Sequence, residues 1–158
     1  MIISIVGGGA TGITILRHLA ELVASGRDNG AISGIQLFDK SGFDGGVAYR
    51  TQSDRHLLNM KASTMSIRPG DADEFLRWLR ARGLSCHGNR HLPRMVYRDY
   101  LDAVRLAAIA QCRGVRQLRG RDQQYNRQGG LHRYEVLDTS HAPMPTPCAA
   151  LRPRARCS

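Results

Sequence analysis

The chain has 158 residues, 42% of them hydrophobic and 6% aromatic, which indicates one globular domain and excludes a wholly disordered protein. The formal net charge is +10, but six of the ten excess charges lie from Arg113 onward, where nine arginines accompany three acidic residues. No zinc finger, helix-turn-helix or aromatic RNA platform accompanies the charge, so we expect no specific nucleic-acid binding. No apolar run approaches the ~18 residues of a membrane span, so we expect a cytoplasmic protein.

The chain opens with a short apolar run, residues 2–6, followed at once by glycines in G-x-G-x-x-G spacing at Gly7, Gly9 and Gly12. The run suits a buried parallel strand, and apolar residues at helical intervals follow the glycines. In this context Gly7 permits a tight turn, Gly9 lets the backbone approach a pyrophosphate, and Gly12 permits close packing of strand and helix. With the helix N-terminus at Ala10 and Thr11 as amide donors, the stretch predicts a dinucleotide-binding site.

The first helix is expected to end near Ser25, because Gly26 is a natural stop. A second parallel strand is predicted at residues 35–38, and it leads directly into Asp39. A carboxylate at the end of this strand suits a hydrogen bond to an adenosine ribose, although a loop carboxylate or a cap is the alternative. The connection at residues 27–34 accounts for a spacing longer than the usual ~20 residues. The neighbouring Lys40 is a weak candidate for a 2′-phosphate contact.

Residues 42–49 form a second glycine-rich loop, in which Gly45 and Gly46 permit close backbone approach to a cofactor or to a neighbouring strand. A short helix is predicted next, capped by Asp71 or Asp73 and ended by Gly83. Its apolar face, which we assign to the core rather than to cofactor stacking, carries Phe75, Trp78 and Leu79.

A longer amphipathic helix is predicted from Tyr97, with Gly114 as its C-cap. A short strand is expected at residues 115–118, and a β-hairpin around Gly129 and Gly130 joins residues 122–128 to residues 131–137. Residues 142–158 contain four prolines and no periodicity, so residues 139–158 are expected to be a disordered tail on a domain at residues 1–138.

The four cysteines form no C-x-x-C pair, which favours free thiols in a reducing compartment. Cys86, His87 and His91 lie close together in the sequence but have no fourth partner, so no metal site is predicted.

Several short motifs then occur in one order along residues 1–138, and together they resemble those of a known family. Besides the first glycine turn they are Gly45-Gly46-Val47-Ala48-Tyr49, His56-Leu57-Leu58-Asn59-Met60, Met65-Ser66, Pro93-Arg94, Tyr97 and Tyr100-Leu101. The chain resembles the N-terminal part of the FAD/NAD(P)-binding flavoproteins that include FAD-dependent urate hydroxylase and aspartate N-monooxygenase. The resemblance implies an α/β fold, a Rossmann-type domain with a parallel sheet that is incomplete at its C-terminus.

The resemblance also implies roles for individual residues around a bound FAD. The three glycines of the first turn would face the pyrophosphate, Asp39 would face the adenosine ribose, and Gly46 would lie towards the flavin. Asn59 would contact the flavin ring or ribityl chain, with an Asn side-chain cap as the alternative. Arg94 would approach a phosphate or a substrate carboxylate, unless it forms a surface ion pair, and the backbone of Val115 would meet the adenine.

In such enzymes NAD(P)H reduces the flavin, which then uses oxygen to hydroxylate a small-molecule substrate. No second nucleotide-binding motif occurs in the sequence, so we expect these residues to lack the usual NAD(P)H site. A truncated form, or a non-catalytic module completed by a partner subunit, is therefore expected, and neither a catalytic residue nor a substrate is assigned.

Overall fold

The computed structural model describes residues 1–39, 43, 45–84, 86–112, 115–116 and 133–138, the last two ranges by their backbone alone. In chain order the elements are β1 (Ile2–Val6), α1 (Ala10–Ala24), β2 (Gly34–Asp39), a 3-10 turn (Ala62–Thr64), α2 (Glu74–Ala81), α3 (Arg94–Gln111), β3 (Val115–Arg116) and β4 (Arg133–Asp138). The β1–α1–β2 order predicted from the glycine turn is confirmed, with a helix between two short strands.

The four described strands form one sheet in the order β1-β2-β4-β3. β1 and β2 are parallel, with Ile2 opposite Gly34 and Val6 opposite Phe38. β4 is antiparallel to both of its neighbours. The expectation of a parallel sheet is therefore correct for the β1–β2 pair and wrong for β4, so the described sheet is mixed. A mixed sheet arises where a strand returns without a crossover helix, and α3 is the last helix that the structure describes before β4.

The core lies between the β1–β2 pair and the helices α1 and α3, which pack against each other. Alternate side chains of each strand point to the covered face of the sheet, and β-branched residues pack well there. Ile5, Ile35 and Leu37 on the strands are buried, as are Leu16 on α1 and Leu101 on α3. α1 therefore covers one face of the β1–β2 pair, and α3 packs against α1.

A buried polar cluster joins α1, α2 and α3. We call it the ion-pair cluster; its members are Arg17, Glu21, Glu74 and Tyr100. Arg17 contacts Glu74 through two donors, at 2.6 and 2.7 Å, and it contacts Glu21 at 3.1 Å. The hydroxyl of Tyr100 donates to Glu74 at 2.5 Å. Every charge in the cluster therefore has a charged or hydrogen-bonding partner, as a buried charge requires.

Titration of the ion-pair cluster follows from these contacts. Burial by itself raises the pKa of Glu74, but the hydrogen bonds from Arg17 and Tyr100 outweigh burial, so the pKa lies below its ordinary value. Burial and the hydrogen bond to Glu74 both raise the pKa of Tyr100. The cluster thus holds an ionised carboxylate and a protonated phenol at neutral pH.

Aromatic rings surround this cluster. The ring centroid of Phe75 lies 4.9 Å from that of Tyr100 and 5.3 Å from that of Tyr97. Trp78 meets Tyr100 at 5.5 Å between centroids. The assignment of Phe75 and Trp78 to the core is therefore confirmed.

One expected cap is not formed, and two other expectations concern residues that the structure does not describe. α3 ends at Gln111 and is flanked by Cys112, whereas the predicted C-cap, Gly114, lies outside the described residues. Asp73 occupies the N-cap position of α2 but makes no side-chain cap hydrogen bond, and the carboxylate of Asp71 pairs with Arg77 instead. β3 pairs with β4, but the predicted hairpin arm at residues 122–128 also lies outside the described residues.

Candidate functional site

The first glycine turn joins β1 to α1 through two glycines that no other residue could replace without strain. Gly7 adopts φ +106°, a conformation that favours glycine, and its N–H donates to the carbonyl of Phe38 at 2.7 Å. A Cβ at Gly12 would lie only 1.8 Å from the carbonyl oxygen of Gly7. The turn and the close helix–strand packing predicted for these two positions are confirmed.

Asp39 ends β2 directly beside this turn. Its side chain is buried, and its Oδ2 accepts a hydrogen bond from the N–H of Gly8 at 2.7 Å. Phe43, which has φ +66°, covers the same place: a Cβ at Gly8 would lie 2.6 Å from its ring. The carboxylate predicted to face a ribose is therefore held against the turn that is predicted to hold the pyrophosphate.

The second glycine loop meets the first. Gly45 and Gly9 form an isolated parallel bridge, and a Cβ at Gly46 would lie 3.2 Å from the Cα of Gly9. The close backbone approach predicted for Gly45 and Gly46 is thus made to the first glycine turn. A Cβ at Gly9 itself would meet only the Gly45 carbonyl, at 3.9 Å. Packing within the described residues therefore does not require glycine at position 9.

A groove of about 480 Å³ runs beside this turn. It is lined by residues 3–6 of β1, by Gly7 and Gly9, and by the first residues of α1, including Ala10, Thr11 and Gly12. The first turn of α1 carries no acidic residue, and its N-cap, Gly9, has no side chain to occupy the amides. Unpaired N–H groups and the positive end of the helix dipole make such a turn suited to a phosphate.

The other predicted contacts are not all brought to this turn. Asn59 is exposed, and its side chain has no hydrogen bond with the described residues, so the alternative of a side-chain cap finds no support there. Its contact with the flavin stays a prediction. The backbone of Val115 pairs with Leu137, which in turn pairs with Ile35 at the start of β2, the end away from the glycine turn. Lys40 lies outside the described residues.

Arg94 has partners that the sequence did not suggest. Its Nε donates to the carbonyl of Leu57 at 3.0 Å, and one terminal nitrogen donates to the carbonyl of Ala48 at 3.3 Å. No ion pair of Arg94 occurs among the described residues, so the alternative of a surface ion pair finds no support there. Its predicted contact with a phosphate or substrate carboxylate stays a prediction.

Sequence reasoning missed Gly8 and Phe43. Gly8 is the one residue between the first two motif glycines, and its close neighbours come from positions 39 and 43. The three adjacent glycines at 7–9 were a signal that position 8, between the motif glycines, also has little room for a side chain. Nothing local marked Phe43, because its contact is set by the tertiary approach of the second loop.

Neither a metal site nor a membrane-spanning helix occurs among the residues that the structure describes. No three His, Cys, Asp or Glu side chains among them come together as a metal site, and this covers Cys86, His87 and His91. Likewise, no helix in the described ranges has both the length and the apolar character needed to cross a membrane.

A β–α–β unit with a glycine turn, an open helix N-terminus and an acidic residue at the end of the second strand defines a dinucleotide-binding domain. The model of the family described as FAD-NAD(P)-binding matches residues 4–147, and the chain belongs to that family. Comparison with curated proteins and with solved structures produces no match.

Proposed function

We propose that the chain binds FAD at the first glycine turn and serves as the FAD-binding domain of an NAD(P)H-using oxidoreductase of the monooxygenase kind. One observation carries the proposal: glycine is needed at positions 7 and 12 by the fold itself, whereas at position 9 the space is left open. A residue that the surrounding chain does not require to be glycine, at the mouth of a phosphate-binding turn, is suited to close approach by a ligand.

The residues beside the turn fit a dinucleotide. Amides at Gly9, Ala10 and Thr11 would hold the pyrophosphate, and Asp39, already fixed by Gly8, would accept from a ribose hydroxyl. Gly46 lies in contact with Gly9 and so would face the same ligand. When bound, the flavin would supply the redox chemistry, and this chain would bind and orient it.

FAD is favoured over NAD(P) by the motifs that follow the first turn, which resemble those of the urate hydroxylase and aspartate N-monooxygenase flavoproteins. In such a protein NAD(P)H would be the reductant. The substrate would be a small molecule of unassigned class.

Titration of the purified chain with FAD, followed by flavin fluorescence, tests the proposal. We expect saturable binding that ADP competes away and riboflavin does not, because only ADP carries the pyrophosphate that the turn would hold. FAD should also bind more tightly than NAD or NADP. A chain that ignores FAD at high micromolar concentrations would refute the proposal.

A second candidate is a non-catalytic dinucleotide-binding module completed by a partner chain. The observation that favours it is the exposure of β1, an outer strand of the described sheet, where Ile2 is 63% and Val6 is 87% exposed. Apolar side chains on a strand edge are typical of a surface that another segment covers. NAD(P)H oxidation by a complex purified from its source, with none by the FAD-loaded chain alone, would support this candidate; oxidation by the chain alone would contradict it.

A further inference from the structure

Arg94, the first residue of α3, connects two loops that precede it by many residues. Its side chain donates to the carbonyls of Leu57 and Ala48, 37 and 46 positions earlier in the chain. Its backbone N–H also donates to the carbonyl of His56 at 2.8 Å. The start of α3 is thus hydrogen-bonded to both loops, one at residue 48 and the other at residues 56–57.

These two loops lie beside the first glycine turn. Ala48 follows Gly45 and Gly46, which are in contact with Gly9. Leu57 forms an antiparallel bridge with Pro93, immediately before Arg94. Displacing the loop at 45–49 would therefore move the backbone that contacts Gly9.

The loop at 45–49 also contacts α3 through Tyr49, whose ring centroid lies 5.0 Å from that of Tyr97. Residues 46–56 contain no helix or strand, and Val47 is 86% exposed. A segment without a helix or strand depends on its tertiary contacts for its position, and the side chain of Arg94 supplies two of them.

We propose that Arg94 is a positioning residue of the dinucleotide site, which holds the second glycine loop against Gly9 and ties it to residues 56–58. The proposal rests on the proposed FAD-binding function. Arginine suits this role because its planar guanidinium presents several donors in fixed directions, and two of them reach two carbonyls. A lysine at this position keeps the charge but has one ammonium group, which cannot reproduce the fork.

Because lysine keeps the charge but not the forked donors, Arg94→Lys distinguishes a positioning role from direct contact with an anion. Arg94→Lys preserves a cation for a phosphate or carboxylate, so a direct charge contact would largely survive. Under the proposal, Arg94→Lys and the uncharged Arg94→Met behave alike. Arg80→Lys, the same change at an exposed position on α2, is the matched control.

The test combines FAD affinity with limited trypsin digestion of the FAD-free chain under native conditions. The held loops contain two exposed trypsin sites, Arg50 and Arg55, and the exposed Arg27 in the turn after α1 provides an internal reference. In Arg94→Lys and Arg94→Met we expect cleavage at Arg50 and Arg55 to rise about tenfold relative to Arg27, the change that the loss of a hydrogen bond produces. FAD affinity should fall by about the same factor in both variants.

Each other outcome has one meaning. Unchanged cleavage at Arg50 and Arg55 overturns the positioning role, and if FAD affinity falls in Arg94→Met alone, Arg94 contacts the ligand directly. Full retention of FAD affinity in both variants also overturns the proposal. Absence of FAD binding by the wild-type chain refutes the proposed function instead, while the digestion still reports whether Arg94 holds the loops.

Discussion

The glycine turn and the ion-pair cluster lie on the same helix, α1, yet they are built in opposite ways. At the N-terminus of α1 the site consists of backbone: the positive φ of Gly7 favours glycine, and a side chain at Gly12 would not fit. Two turns further on, Arg17 joins a cluster of charged side chains that pack beside aromatic rings. A ligand site of backbone amides needs a rigid frame, and the side chains between the three helices supply it.

We expect some changes at the turn to weaken ligand binding without affecting folding, whereas changes in the cluster should affect folding alone. Three substitutions test it, in decreasing order of expected effect.

Gly12→Ala should have the largest effect, because the new Cβ would lie 1.8 Å from the carbonyl oxygen of Gly7 and neither backbone can move freely. We expect a loss of about 3 kcal/mol in the free energy of unfolding, measured by urea denaturation, together with loss of FAD binding.

Gly9→Ala is its matched control. The added methyl group meets only the Gly45 carbonyl, at the ordinary contact distance of 3.9 Å, so stability should barely change. FAD binding should still weaken, because the methyl group occupies the space proposed for the pyrophosphate. Equal stability losses in the two variants would contradict the distinction between a glycine required by the fold and one required by the ligand.

Glu74→Gln should have the next largest effect and should leave FAD affinity unchanged. The variant removes the negative charge between Arg17 and Tyr100, and Arg17 retains only Glu21. Disruption of a largely buried pair of this kind should lower the free energy of unfolding by about 2 kcal/mol. Asp71→Asn, which breaks the more exposed pair with Arg77, is the control and should cost clearly less.

The same variant has a signature in pH dependence. Because the pKa of Glu74 is lowered in the folded chain, its stabilising contribution is complete above the ordinary value of 4.5. That contribution is lost as the pH falls through the folded-state value. Wild-type stability should therefore decline below pH 4.5, and Glu74→Gln should lack this part of the decline. Parallel pH profiles would show that folding does not lower the pKa of Glu74.

Asp39→Asn should have the smallest effect, and it should be mainly on affinity. An amide oxygen can still accept from Gly8, but it loses the charge that strengthens a hydrogen bond from a ribose hydroxyl. FAD affinity should fall about tenfold, or ~1.4 kcal/mol, in the fluorescence titration.

Asp28→Asn, which alters a carboxylate in the turn before β2, is the control for Asp39→Asn and should bind FAD normally. If Asp39→Asn also binds normally, Asp39 braces the turn and makes no contact with the ribose.

Local patterns predicted the first half of the fold well. The glycine spacing, the apolar run and the helical period identify β1, α1 and β2 within a residue or two, because each signal lies inside the element it describes. The direction of β4 was not predictable in this way, since strand pairing depends on residues about a hundred positions apart.

In the site, too, local features could be predicted from the sequence and tertiary contacts could not. The motif spacing predicted the roles of Gly7 and Gly12. The sequence also predicted a close backbone approach at Gly45 and Gly46, but not that Gly9 is the residue they approach. The contact of Phe43 with Gly8 and the bonds of Arg94 to two carbonyls could not be foreseen, because backbone carbonyls carry no sequence signal.

The glycine turn packs against Asp39, Phe38 and Gly45, and this arrangement exists only in the folded chain, so ligand occupancy and global unfolding are thermodynamically linked. A ligand that binds only the folded chain stabilises it by an amount that grows with the logarithm of its concentration. At 100 times its dissociation constant, FAD would add about 2.7 kcal/mol, enough to offset the loss expected in Glu74→Gln. FAD would then restore the stability lost between the helices, although it would touch none of the altered contacts.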